Sequence, residues 1–248
     1  MRYTLSYART HRPRAVLLEN VVGLAHRHRK TLRKIVRFLE EIGYKVKHTI
    51  LNSSDFGIPH DRRRLILVAI RSDSLKREFK WPVPTTRRSA KSLLDPPCAE
   101  DSPFSLPNSA VNTRAYNLVR DAITKTKAKG INIKHNELII DIDCTERFST
   151  YGVNIMKCLT ASRGGAGGPY VLSRGRRMTM SELFRFQGMA SADFDGWQKA
   201  DGVSARAMGH MLGNTVSLPI AELVLAQALY ASGLVSKIPT GRWCGRGS

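Results

Sequence analysis

Pro13-Arg14-Ala15-Val16-Leu17-Leu18-Glu19-Asn20-Val21-Val22-Gly23-Leu24 is the stretch from which the rest of the chain can be read. Behind the proline, Ala15 to Leu18 form a short apolar run that stops on the polar pair Glu19-Asn20. This is the pattern of a buried parallel strand carrying a polar residue at its C-terminal end. In open α/β sheets ligands bind at that end of the strands. Downstream, Leu32, Ile35, Val36, Leu39 and Ile42 recur at helical spacing, Arg33, Lys34 and Arg37 take the opposite face, and Gly43 stands where a helix would close. A strand over Lys45 to Leu51, a loop over Asn52 to Asp61 and a second apolar run, Leu65 to Ile70, complete the order strand, helix, strand, strand.

After Arg71 the pattern changes. Trp81-Pro82-Val83-Pro84, Pro96-Pro97, Pro103 and Pro107 interrupt a segment of little periodicity, which marks a boundary and a second, irregular module. Within it Val111, Ala115, Leu118, Val119 and Ala122 predict one helix, and Leu138-Ile139-Ile140 starts a strand. Arg163-Gly164-Gly165-Ala166-Gly167-Gly168 is open to two readings, a loop approaching a ligand through its backbone or a linker. Further helices are expected around Met180 to Phe186 and from Pro219 to Tyr230. The second of these, apolar around most of its circumference, would be buried against the first domain.

Composition sets the bounds. The 248 residues are 42% hydrophobic and 24% charged, which suits a folded chain with a real core and not a disordered one. The 4 cysteines are widely and irregularly spaced, so neither a dense disulfide framework nor a Cys-x-x-Cys zinc half-site is present, and a reduced, intracellular protein is expected. The N-terminus lacks the apolar core of a signal peptide, and Pro219, Glu222 and Gln227 interrupt the most apolar stretch, so no membrane span is expected. Lys and Arg number 40 against 20 Asp and Glu, a net charge of +20. The excess is spread over Arg9 to Arg14, His26 to Lys34, Arg62 to Arg64, Lys125 to Lys129 and Arg174 to Arg177. Such a surface suits a polyanion, since each cation placed on a phosphate releases condensed counterions; the alternative is a basic face kept for solubility.

Four segments in order resemble the cytosine-5 DNA methyltransferase family. Glu19-Asn20-Val21 at a strand end resembles the family's Glu-Asn-Val motif. Gly57-Ile58-Pro59-His60-Asp61-Arg62-Arg63-Arg64 is similar to its Gly-x-Pro-Gln-x-Arg-x-Arg segment, with His60 in place of Gln. Arg176-Arg177-Met178-Thr179-Met180-Ser181-Glu182, followed by Arg185-Phe186-Gln187-Gly188, resembles the motif closing the target-recognition domain. Gly213-Asn214-Thr215-Val216-Ser217-Leu218-Pro219 resembles the motif that returns to the cofactor pocket.

The resemblance implies an α/β fold: the C-terminal half of a Rossmann-like methyltransferase sheet, with an inserted, irregular target-recognition domain. Residues 1–83 would belong to the catalytic domain, 84–175 to the recognition domain, 176–235 to the return into the catalytic domain, and 236–248 to a tail. It implies methyl transfer from S-adenosylmethionine to C5 of cytosine in double-stranded DNA, and residence in a nucleus or nucleoid. The family adds a cysteine thiolate to cytosine C6, and Glu19 would serve the ring nitrogen N3 while charge develops there. A strand-end carboxylate merely paired with a neighbouring arginine is the other reading of Glu19. Arg62 and Arg64 would present planar forks to the cytosine O2 or a phosphate, alternate residues entering a strand being expected on one face. Asn214 and Val216 would lie near the cofactor. Arg163, Gly164, Gly165 and Arg176 would meet the DNA, around a base flipped out of the duplex. Asp141 and Asp143 would share a strand face, but two carboxylates without further ligands do not make a metal site.

The family's glycine-rich cofactor loop and the Pro-Cys dipeptide that supplies its nucleophile are not found before Glu19. Pro97-Cys98 is rejected as a substitute, because it opens a Pro-rich loop downstream of the arginine motif. Cys144, Cys158 and Cys244 show no activating neighbourhood in sequence. The chain therefore reads as the C-terminal portion of such an enzyme, inactive alone and presenting an open sheet edge. A truncated gene, a split enzyme completed by a second polypeptide, and a degenerate relative that binds nucleic acid without catalysis are the three explanations. A tRNA cytosine-5 methyltransferase is a further alternative.

Overall fold

The computed structural model describes residues 2–107, 113–198 and 202–242, so Val111 and Cys244 lie outside the described residues. In chain order the elements are α1 (Arg2–His11), β1 (Ala15–Val21), α2 (Gly23–His26), α3 (Arg29–Glu41), β2 (Tyr44–Asn52), β3 (His60–Asp61), β4 (Arg63–Arg71), α4 (Thr113–Ala128), β5 (Leu138–Ile140), β6 (Tyr151–Val153), β7 (Met156–Lys157), α5 (Ala161–Gly165), β8 (Tyr170–Val171), β9 (Arg176–Arg177), α6 (Met180–Phe186), α7 (Ser191–Gln198), α8 (Ala205–Asn214) and α9 (Leu218–Ala231). They divide into two compact units. The first comprises Met1–Gly57, Arg63–Thr86 and Pro219–Ser248, the second Ile58–Arg62 and Arg87–Leu218.

The first unit is built on a three-stranded sheet ordered β1-β4-β2, in which β4 runs antiparallel to both neighbours. The parallel pairing expected of β1 is thus corrected. A parallel neighbour needs a crossover of a dozen or more residues, whereas β2 and β4 are joined by a short loop without an α-helix, so β4 returns antiparallel and slots between its partners. Period-two alternation then assigns the faces. Leu65, Leu67 and Ala69 of β4 pack with Ala8 of α1 and with Leu32, Ile35 and Leu39 of α3. Ile66, Val68 and Ile70 pack with Ile220, Val224 and Ala228 of α9. Both faces of β4 are therefore covered, which is why its sequence is a continuous apolar run. Gly43, with φ of 85°, ends α3 in the left-handed region that a side chain would strain. Among the described residues the outer edge of β1 has no strand partner, and Leu17 and Val21 are exposed there.

The second unit holds a four-stranded sheet ordered β6-β5-β8-β9, a short parallel pair of β3 with β7, and helices α4 to α8. Ala115, Val119 and Ala122 of α4 cover Leu138 and Ile140 of β5. A second core gathers Leu183, Phe184 and Phe186 of α6 and Met208 and Leu212 of α8 around Leu93, Ile139 and Val171. That packing keeps the segment from Arg176 to Leu218 inside this unit. The chain re-enters the first unit at Pro219.

Candidate functional site

Glu19 sits on β1 opposite Ile66, and Arg64, two residues from Ile66 on β4, is its diagonal neighbour on the same sheet face. The guanidinium Nε meets Glu19 Oε1 at 2.8 Å, with the two side chains 14% and 26% exposed. Arg64 Nη1 also donates to the Arg63 carbonyl at 2.9 Å. Antiparallel register thus fixes a carboxyl and a planar cation side by side while leaving both reachable. Such a pair can serve a ring nitrogen and an adjacent exocyclic oxygen of a planar base. Beside Glu19, Asn20 Oδ1 accepts from the Val21 amide at 2.9 Å, which ties down the strand end.

Arg62 does not share that face. β4 begins at Arg63, so the alternation expected of residues 62 and 64 never applies, and Arg62 belongs to the second unit. It is 2% exposed there. Its Nη1 donates to Leu159 O at 2.6 Å and to Cys158 Sγ at 3.7 Å, and its Nη2 donates to Gly213 O at 3.2 Å and Thr215 O at 2.7 Å. One buried fork therefore holds the approach to α5 and the C-terminal end of α8, where carbonyls lack helical partners. Asn214, exposed, and Val216, half-buried, stand on the segment it holds. His60, fully buried, accepts from the Leu159 amide through Nε2 at 3.2 Å. A neutral imidazole thereby fills, on this side, the accepting role open to the family's glutamine.

The residues expected on DNA fare differently. Arg163 Nε donates to Asp141 at 2.9 Å, with its side chain 33% exposed, so its fork is oriented from one side and open on the other. Gly164 is buried, and a Cβ on it would come within 1.9 Å of Gly209 O. The glycines at 164 and 209 thus let α5 and α8 touch through their backbones, so Gly164 serves a helix crossing. Gly165 lies beside the same crossing, where a Cβ would be 3.5 Å from Arg206 O. Arg176 is committed internally, to Asp101 at 2.8 Å and to both oxygens of buried Glu182 at 3.1 Å. The hydrogen bonds it donates to Glu182 raise its pKa above the ordinary arginine value, and no phosphate is needed to account for its charge. Arg177 forms a two-pronged pair with Asp143, 2.7 Å for each bond. Asp141 and Asp143 are thus each matched by an arginine, and no metal-ligand cluster occurs among the described residues.

Sequence reasoning missed Asp95 and Asp101, the carboxylates that organise this arginine-rich end. Asp95 accepts from Thr179 Oγ1 at 2.7 Å and from Arg185, 84 and 90 residues away. Burial opposes ionisation of both, yet hydrogen bonds from Thr179 and Arg185, and from Arg176 and Cys98, hold their pKa values below the ordinary aspartate value. No local pattern signals partners that distant. Cys98 is exposed, its thiol donating to Asp101 Oδ1 at 3.4 Å and to Glu100 Oε2 at 3.9 Å.

The profile of C-5 cytosine-specific DNA methylases matches residues 2–229. The Type II methyltransferase M.NgoBI of Neisseria gonorrhoeae is 27% identical over 216 residues, covering 86% of this chain and 60% of that protein. M.MspI of Moraxella sp. is 47% identical over 68 residues, 27% of this chain and 16% of that enzyme. The chain thus spans less than two thirds of the length of these curated relatives. In structure it is similar to a putative DNA modification methyltransferase from an E. coli prophage, with a TM-score of 0.59, 19% identity and coverage of 94% of this chain and 74% of that one. It is similar also to the S. pombe Dnmt2 methyltransferase, with a TM-score of 0.54, 18% identity and coverage of 88% and 67%. These likenesses bear on the fold and support a Rossmann-like methyltransferase architecture. With a matching profile over nearly its whole length, the chain belongs to the C-5 cytosine-specific DNA methylase family.

Proposed function

We propose that this chain provides the base-facing part of a DNA cytosine-5 methyltransferase, and the observation that carries the reading is the Glu19–Arg64 pair fixed at 2.8 Å at the end of β1. As a thiolate adds to cytosine C6, negative charge moves towards N3 and O2. Glu19 would protonate or hydrogen-bond N3, while Arg64 donates to O2 and keeps the carboxyl oriented. Arg62 would act through the backbone it holds. The exposed amide of Asn214 and the half-buried Val216 pair a polar with an apolar group, which fits an adenosyl ligand. These two would hold S-adenosylmethionine, which supplies the methyl group when bound. Arg163, oriented by Asp141, would take a phosphate of double-stranded DNA. The thiol would come from a Pro-Cys segment outside this sequence, as an upstream part of the same protein or on a second polypeptide, so the chain by itself would transfer no methyl groups.

The test is co-expression with a family N-terminal half carrying the glycine-rich loop and the Pro-Cys dipeptide. Transfer of labelled methyl from S-adenosylmethionine to duplex DNA is expected, and Glu19→Gln should abolish it while leaving the complex assembled. Persistent inactivity of a folded, DNA-bound complex would favour a binding module without chemistry, and methylation of tRNA in place of DNA would change the substrate assignment.

A further inference from the structure

The longest run of unopposed positive charge in the first unit lies outside the pair just described. From His26 to Lys34 the sequence reads His26-Arg27-His28-Arg29-Lys30-Thr31-Leu32-Arg33-Lys34, and Arg37 follows before the first acid, Glu40. The run begins at His26, the last residue of α2, and continues through more than two turns of α3. Arg29, Arg33 and Arg37 recur every fourth residue and so form one stripe, rising about 6 Å from each to the next. They line a groove floored by Leu32 and Val36 and bounded by His48 of β2, with the exposed Glu40 at its far end as its one acid. All three are exposed, and among the described residues no carboxylate pairs with them or with Lys30 and Lys34.

An arginine stripe that forms no ion pair among the described residues, even with Glu40 at the end of its groove, is unlike the arginine cluster of the second unit. Arg163, Arg174, Arg176, Arg177 and Arg185 each meet an aspartate. The pitch of the stripe is close to two base steps of duplex, about 7 Å along the axis, and guanidinium forks suit phosphate oxygens. α3 starts at the strand end that carries Glu19, but it covers the sheet face that Val16 and Leu18 share, opposite the Glu19–Arg64 face. DNA contacting the stripe would therefore be duplex beyond the target base and not the base pair itself.

We propose that the Arg29–Arg33–Arg37 stripe is a second DNA-binding surface, taking the phosphate backbone of duplex flanking the methylated site. This rests on the DNA reading above. Binding of the purified chain to mixed-sequence duplexes of about 12 and about 36 base pairs, followed by fluorescence anisotropy across a salt series, tests it. The variant Arg29→Gln/Arg33→Gln/Arg37→Gln is compared with Arg9→Gln/Arg14→Gln/Lys80→Gln, which removes the same charge from exposed positions elsewhere in the unit, and equal melting temperatures establish intact folding. The stripe variant should lose about tenfold or more on the long duplex at low salt and far less on the short one. Its log–log salt slope should fall by about two to three, as expected for three lost phosphate contacts. The control should lose less than about threefold. Equal losses in the two variants would overturn the proposal while leaving the DNA reading intact. Failure of the unaltered chain to bind either duplex would overturn both. Loss of polyglutamate binding with retained duplex affinity would also overturn it, marking the groove as a seat for an acidic protein.

Discussion

The guanidinium of Arg62 is met by main-chain oxygens of Leu159, Gly213 and Thr215, which take the accepting role that a carboxylate has in most buried ion pairs. Carbonyl groups left without a donor in a dry site cost about 1–3 kcal/mol each, so removing the fork should be expensive even though the charge itself is costly to bury. Arg62→Met is expected to lower stability by on the order of 3 kcal/mol in urea denaturation. Arg62→Lys should recover only part of the loss, because one ammonium cannot span the same acceptors. A methionine variant as stable as the parent would show that the carbonyls find water instead and that Arg62 is free for another task. Glu19 contrasts with it. Glutamine at that position keeps a hydrogen bond to Arg64 but cannot supply a proton to N3, so an effect confined to methyl transfer separates chemistry from structure.

At the scale of elements the α5–α8 crossing has the tightest geometry. A Cβ on Gly164 would lie 1.9 Å from Gly209 O, one on Gly209 2.1 Å from Gly164 O, and one on Gly213 2.3 Å from the Thr160 carbonyl. Backbone cannot swing aside as a side chain can, so Gly164→Ala must push the helices apart, and a loss of about 1–3 kcal/mol with a lowered urea midpoint is expected. Gly130, with open space around its Cβ position, makes a control for substitution itself, although its φ of 72° adds some strain. An unchanged midpoint for the alanine at 164 would mean that the helices do not pack this closely. The same crossing shows what sequence conveys and what it does not. β4, α3 and α9 were legible because burial on one or both faces writes a period, or an unbroken apolar run, into neighbouring residues. Glu19 and Arg64 were legible through motif, and their pairing needed only the register of two strands. The antiparallel insertion of β4, the role of Gly164 and the reach of Arg176 to Asp101 were not, since each depends on a partner tens of residues away. A glycine freed for a loop and a glycine required by a helix contact look alike in one dimension.

Over the whole molecule the 40 basic side chains outnumber the acidic ones two to one, which makes each paired carboxylate matter more than in a neutral protein. Protonating the 20 acids would leave all that positive charge unopposed. Asp95 and Asp101 are the sharpest cases: although burial opposes it, hydrogen bonds from Thr179 and Arg185, and from Arg176 and Cys98, hold their folded-state pKa values below the ordinary aspartate value. A depressed folded-state pKa means that the unfolded chain takes up protons first as pH falls. The stability these two groups contribute is thus fully present above the ordinary aspartate value and is lost as pH drops through their folded values. Urea midpoints should therefore be insensitive to these groups between about pH 5 and 7 and should fall steeply below about pH 4. Two causes then act together, and salt separates them. Sodium chloride screens the general repulsion among surface cations and should restore part of the midpoint at low pH, but it cannot restore a hydrogen bond from Arg176 to a protonated carboxyl. Asp101→Asn should be less stable than the parent near neutrality and should show a shallower acid limb. If the parent and that variant lose stability in parallel, and salt restores both completely, then repulsion alone governs the acid response and the Asp101–Arg176 pair contributes nothing to it.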